Sequence, residues 1–356
     1  MELVKVSNFS KNSESNRDIS LPRSFFTNNE KVVEIESKIN SLPTNIEEII
    51  PEDKPFIVAN TSNLSLRELK EECIIPVFSK DNEKTLAHQE FIDIAQNCAS
   101  TVFQRQRIGS PEIRVSHQIK GRIPEAIHKN AKDLLEKEKT QYWERMAFII
   151  NIPDIFETIN GNKISLTIGG VRAYNQENLY SKKSMERFKF FIGFQNQVCM
   201  NLCVWSDGFV EELRASSYLE LENKILRIIQ NYKIEKHFNL MKDLPNYGLS
   251  ETQFAQLIGK SRLYHYLPKK EKNKLPALLI NDGQISTVAK DYYNDESFCR
   301  NADGDINLWN VFNLFTSANK SSYIDTFLDR NANAFDFTKG LQESLNGNSI
   351  HSWFLS

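Results

Sequence analysis

No stretch of this chain approaches the ~20 consecutive apolar residues that a helix needs to cross a bilayer, so no membrane partner is expected. The opening residues, Met-Glu-Leu-Val-Lys, lack the charged, apolar and cleavage regions of a signal peptide, and a cytoplasmic protein is expected. Cysteine is scarce. The five thiols (Cys73, Cys98, Cys199, Cys203 and Cys299) are odd in number and suit a reducing compartment better than a disulfide framework. The six histidines, at 88, 117, 128, 237, 265 and 351, show no HExxH spacing, and His117 reads as a core histidine on a strand.

Several partial motifs stop short of chemistry. Gly259-Lys260-Ser261 ends like a P-loop, but the glycine needed five residues earlier is Phe254, and the segment follows a helical pattern. Asn301, Asp303 and Asp305 open like a calcium loop, yet Ile306 stands where glycine is required and Phe312 where the bidentate Glu should be. Cys199 and Cys203 have a permitted zinc spacing, but Val198, Met200, Leu202 and Val204 surround them and no second ligand pair lies nearby, so buried thiols are expected. No internal repeat, complete catalytic motif, metal site or cofactor site emerges.

What is present is a core and an uneven charge. Hydrophobic residues make up 40% of the chain and Phe alone contributes 23, enough for a substantial interior. Net charge is −2, but residues 101–189 hold 16 Lys and Arg against 10 Asp and Glu, while residues 1–100 hold 11 against 17. A basic middle between acidic flanks fits an anionic partner there; mutual neutralisation on folding is the plain alternative.

Periodicity divides the chain into five parts. Residues 1–24, rich in Ser and Asn, read as a flexible tail. Residues 25–110 are acidic and mainly helical, with an amphipathic helix from His88 that places Phe91, Ile94, Ala95, Cys98 and Val102 on one side. Residues 111–215 read as an antiparallel β-rich core. Within it, Glu112–Ile123 alternates as one strand, with Arg114, Lys120 and Arg122 on the open face, and residues 124–139 are expected to form a helix begun by Pro124. Asn160-Gly161 is a hairpin turn, and Gln195-Asn196-Gln197 is expected to be a second. Residues 216–340 are helical and 341–356 a polar tail. The fold class is α+β, a central antiparallel sheet with helices before and after it.

The run Ser165–Tyr180 holds a glycine pair, Gly169-Gly170. Strict alternation would send Arg172 to the apolar face. A bulge at the pair would slip the phase and aim Arg172, with Tyr174, outward. A second basic segment spans 260–274, where Lys260, Arg262, Lys269 and Lys270 accompany Tyr264, His265 and Tyr266. Cations neutralise phosphates and aromatic faces stack on bases, the pairing that single-stranded nucleic acid requires. Residues 249–268 also begin like a helix-turn-helix, but His265 and Pro268 spoil its second helix.

The segments RVSHQIKGRIPEAIHK, SLTIGGVRAYNQENLYSKKSMERFKFFIGFQNQVCMNL, ETQFAQLIGKSRLYHYLP and NLWNVFNLFTSANKSSYIDTFLDR resemble a group of uncharacterised proteins from Bacteroides and relatives, carried on conjugative transposons and plasmids. A more distant likeness is to the broad phage/plasmid-like family of unknown function. The resemblance covers roughly residues 70–335 and implies a bacterial cytoplasm and a mobile-element setting. It brings no catalytic residues. The leading expectation is an accessory protein binding nucleic acid, single strands included, through Arg114, Lys120, Arg122, Arg172, Tyr174, Lys260, Arg262, Tyr264, Lys269 and Lys270. A module countering a host defence protein, with the acidic first hundred residues as its surface, is the first alternative. A metal-dependent nuclease or other hydrolase is the second, although Asp154, Glu157, Glu177 and Glu186 are scattered.

Overall fold

The computed structural model describes residues 55–73, 86–174, 185–347 and 349–356. Met1–Asp53 and Lys54–Ser356 separate as two units, and only the second is described below. The tail expected over 1–24, residues 25–54 and 74–85 of the acidic part that follows it, and Glu177 therefore lie outside the described residues.

Strand β1 (Ser62–Asn63) leads into helix α1 (Leu66–Glu72), where Ser65 and Glu68 cap the first turn reciprocally. Helix α2 (His88–Val102) follows, with the expected apolar stripe buried. Then come β2 (Glu112–Val115), β3 (Gln118–Arg122), β4 (Lys139–Trp143), β5 (Arg145–Ile159), β6 (Asn162–Ala173), β7 (Glu186–Asn196), β8 (Leu202–Cys203) and β9 (Phe209–Ala215). The remainder is mainly helical: α3 (Tyr218–Asn231), α4 (Ile234–Asp243), a short strand β10 (Gly248–Leu249), α5 (Glu251–Tyr266), α6 (Lys269–Lys272), α7 (Asp282–Asn294), β11 (Ile306–Asn307), α8 (Leu308–Asn319) and α9 (Ile324–Leu345). The expected α+β class is thus the observed one.

The main sheet is antiparallel and seven-stranded, in the order β1-β2-β5-β6-β7-β8, with β9 pairing the other end of β7. Its centre is the β5–β6 hairpin. Asn160 and Gly161 adopt φ of 47° and 77°, the left-handed pair that a type I′ turn demands. Both faces of the sheet are covered. Met146, Phe148, Ile150, Leu166 and Ile168 pack with α2 and α3, while Ala147, Ile149, Val171 and Phe191 pack with Ile324, Phe327 and Leu328 of α9.

That two-sided burial overturns the bulge at the glycine pair. Pairing runs regularly through Gly169 and Gly170 on both sides, to Ile149 and Phe148 of β5 and to Phe191 and Phe190 of β7. The register shifts instead between Ile152 and Phe156 of β5, across Pro153, which has no N–H to offer a ladder. The glycines serve close approach. A Cβ on Gly170 would lie 2.5 Å from Cζ of Phe91, and one on Gly169 would run into the Phe148 carbonyl oxygen. Arg172 consequently stays in phase and points inward, under α2.

Five other expectations change. The alternating run Glu112–Ile123 is two strands, because Ser116 stops the first. Its N–H donates to the Arg145 carbonyl (2.9 Å) and its hydroxyl accepts from the Arg145 N–H (3.0 Å). His117, at the break, is exposed rather than in the core. The helix expected over 124–139 is absent: three isolated 3-10 turns occupy Pro124–Ala126, Ala131–Asp133 and Glu136–Glu138. A continuous helix there would be about 24 Å long, yet Arg122 and Lys139, at its two ends, are cross-strand partners. The turn expected at 195–197 falls later, because Asn196 stays in β7 and its amide donates to Asn313 Oδ1 (3.2 Å). Residues 341–356 also do more than trail. Phe354 is buried against Phe337 at a ring separation of 4.8 Å.

Candidate nucleic-acid interface

Strands β3 and β4 form a two-stranded ribbon of their own. Residues directly opposite share a face, as do residues two apart along a strand. The register pairs Gln118 with Trp143, Lys120 with Gln141 and Arg122 with Lys139. One face therefore carries Lys120, Arg122 and Lys139 together with Gln118 and Gln141, and the other carries Ile119, Gly121, Thr140 and Tyr142. The polar face is dry only at its base, where Trp143 is 5% exposed, while Lys120 and Lys139 face solvent.

Arg122 and Lys139 are like charges in opposed positions, which costs stability in a sheet. Local acceptors moderate that repulsion. The Arg122 guanidinium donates to the Lys129 carbonyl, and Lys139 Nζ lies 2.5 Å from Glu136 Oε1. Lys129 in turn holds Glu138 at 2.5 Å, and this bond, with the Leu135 N–H, keeps the Glu138 carboxyl below the usual range. Among the described residues Lys120 and Lys132 form no ion pair.

Arg114 belongs elsewhere. It lies on β2 of the main sheet, and its guanidinium bonds the Thr61 hydroxyl (3.0 and 3.2 Å) and carbonyl (3.1 Å), tying β1 to β2. Arg172 and Tyr174 are 1% and 2% exposed, so neither presents a surface. The Arg172 guanidinium donates to the Leu86 carbonyl and to Glu186, and lies over the rings of Tyr174 (4.7 Å) and Phe188 (4.5 Å). His88 stacks on Tyr174 at 4.2 Å and bonds the Trp143 carbonyl through Nε2 at 2.8 Å. Burial first, and the Arg172 charge second, push its pKa down to about 3. This cluster is an internal brace. Its presence explains why an arginine sits on an apolar face.

The second basic segment is broken up in space. Lys260 lies over the Trp353 ring at 4.7 Å, and Arg262 makes a two-pronged bond to Asp282 (2.8 and 3.1 Å). Tyr264 is 4% exposed, with the Lys272 ammonium 4.6 Å from its ring, so it is not a stacking surface. Tyr266, two residues on, is 78% exposed. Lys269 and Lys270 are exposed on α6, which at four residues is too short to be a recognition helix. The ribbon is anchored at Trp143 of β4, buried with its carbonyl bonded by His88, whereas α5 packs on α7 and the 350–354 turn.

Two ribbon residues were missing from the sequence-based candidates, Lys139 because it fell in the expected helix and Gln141 because it lay just beyond it, in a stretch with no assigned element. Only the β3–β4 pairing, a non-local fact, brings them beside Lys120 and Arg122. Tyr266 was visible as an aromatic within the basic run, but its outward direction was not. Elsewhere, all five cysteines are free, and burial pushes Cys199 up to about 11 and Cys98 to about 12. His237 is buried at 2.7 Å from Asp207 and stacked on Tyr232. Among the described residues no group of three His, Cys, Asp or Glu side chains could hold a metal ion, and no helix is long and apolar enough to cross a membrane.

These features define an α+β protein with a cationic two-stranded ribbon beside a sheet buried on both faces. The chain belongs to the family described as a domain of unknown function, B. theta gene description (DUF3871), which its residues 44–355 match. No curated protein and no solved structure matches it.

Proposed function

We propose that the protein binds nucleic acid through the polar face of the β3–β4 ribbon, as an accessory protein of a mobile element. The observation that carries this reading is the cross-strand arrangement of Lys120, Arg122 and Lys139 with Gln118 and Gln141 on one face. Cations spaced along such a face neutralise successive phosphates, and carboxamides hydrogen-bond phosphate, sugar or base edges. A two-stranded ribbon also has the width that a major groove admits. The inward-pointing Arg172, Tyr174 and Tyr264 take no part, and Arg114 contributes only to the sheet beside the ribbon. The mobile-element setting rests on the sequence resemblance alone.

The test is binding of labelled oligonucleotides, single- and double-stranded, across a salt series. Affinity should fall with salt, with a slope of about 0.7 per phosphate contact on single strands and about 0.9 on duplex. The double variant Lys120→Glu, Lys139→Glu should abolish binding while leaving the melting temperature close to that of the parent. Salt-independent binding, or a charge-reversed variant that binds normally, sinks the proposal.

A protein partner is the second reading, favoured by one observation. Ile127 and Leu135, in the turns that join β3 to β4, are 64% and 53% exposed. Recovery of a single host protein, unchanged by nuclease treatment and lost in Ile127→Ser, Leu135→Ser, would favour it.

A further inference from the structure

We infer that the corner between α5 and α6 is a site for single-stranded nucleic acid, in which an unpaired base stacks on Tyr266 and Lys269 and Lys270 hold the adjoining phosphates. This deepens the nucleic-acid reading and rests on it. It names the strandedness of the ligand and a second contact site that the ribbon does not supply.

Pro268 cannot continue α5, and the residue before it is driven to extended backbone. Leu267 accordingly has φ −64° and ψ 143°. The last helical residue, Tyr266, is thereby left at the lip of the break, and α6 restarts at once with Lys269 and Lys270. Over 269–274 four lysines face a single carboxylate, Glu271.

The polar and aromatic groups around this corner divide into occupied and open ones. Tyr264 points into the body, where its ring lies 5.9 Å from that of Phe354. Lys272 is engaged over Tyr264, Lys260 over Trp353 and Arg262 with Asp282. Tyr266, Lys269 and Lys270 remain exposed. The helix surface beside Tyr266 is also clear. Leu263, one turn back, is 59% exposed, and a Cβ added at Gly259 would meet nothing within 4 Å. A large aromatic ring kept in water forgoes the gain of burial, so a ring this exposed beside a local excess of cations has the form of a stacking platform.

The chemistry of the corner selects among anions. A duplex keeps its base faces stacked on one another and offers none to a lone ring. An unpaired base offers its π-face at once, while neighbouring phosphates meet the lysines. An acidic peptide would satisfy the lysines but gains little from the ring.

The experiment uses the full chain and a fluorescein-labelled, mixed-sequence oligodeoxynucleotide of about 15 nucleotides, its RNA equivalent, and the same sequence as duplex. Tyr266→Ala should weaken single-strand binding by about 5- to 150-fold, Tyr266→Phe should keep it, and neither should change duplex binding. Lys269→Ala with Lys270→Ala should lower the single-strand salt slope by about 1.4, with Tyr323→Ala as an exposed-tyrosine control. Circular dichroism of each variant establishes that it is folded. If the parent binds single strands and Tyr266→Ala binds them equally well, the stacking site is refuted and the ribbon reading survives. Displacement of the oligonucleotide by polyglutamate of matched charge, equally from parent and Tyr266→Ala, marks an acidic-peptide site and also refutes it. If the parent binds no nucleic acid at about 50 mM salt, both readings fall together.

Discussion

His88 should make this protein less stable as pH falls below about 6.5. The imidazole is fully buried, lies on the Tyr174 ring, and has as its charged neighbour the Arg172 guanidinium, which is itself paired with Glu186. Nε2–H donates to the Trp143 carbonyl, while Nδ1 is buried without a partner among the described residues. Burial and the nearby guanidinium hold its pKa at about 3, against about 6.5 in an unfolded chain. The folded state therefore resists a proton that the unfolded chain accepts. His88 stability is complete above pH ~6.5 and declines as pH falls, by about 1.4 kcal/mol per unit until pH ~3. Between pH 6.5 and 5 the loss is about 2 kcal/mol, a large share of a total stability of about 5–15 kcal/mol. His237, His265 and His351 are also held below their usual range by burial and add to the same slope, so a variant must isolate His88. His88→Gln retains a donor for the Trp143 carbonyl and cannot titrate. Urea unfolding at pH 7, 6 and 5 should show the variant less stable at pH 7 but losing about 2 kcal/mol less than the parent on the way to pH 5. Parallel profiles for the two proteins would refute the reasoning.

Other consequences follow from the same interior. Gly170→Ala drives a methyl against Phe91 and the Lys189 carbonyl at 2.7 Å, so it should cost about 1–3 kcal/mol, read as a lowered urea midpoint. Gly259→Ala, in the middle of α5 with open space around it, should instead stabilise by about 0.5–1 kcal/mol. Arg172→Met leaves Glu186, at 17% side-chain exposure, without its buried partner and should cost about 3–5 kcal/mol. A variant as stable as the parent would show that the ion pair is replaceable by packing alone.

Much of the architecture was legible in the sequence because it is encoded by local periodicity. The 3.6-residue stripe from His88 and the Asn160-Gly161 turn each depend on residues within a few positions of one another. The misplaced elements share a different cause. Residues 124–139 have an apolar stripe at helical spacing, but β3 recruits Lys139–Trp143 as its strand partner and the stripe finds nothing to cover it. Ser116 ends an alternation that looked continuous, because its hydrogen bonds run to Arg145, 29 residues away.

The sequence by itself determined the fold class, the hairpin at the centre of the sheet and the local excess of cations, since composition and short-range pattern suffice for those. Which cations face a partner was decided by tertiary structure. Helices cover both faces of the sheet, so Gly170 became the ground on which Phe91 rests and Arg172 an internal brace. Strand pairing put Lys139 beside Arg122, and the direction of one helix face hid Tyr264 and left Tyr266 in water. Those outcomes depend on what packs above each residue, and no window of neighbouring residues contains that information.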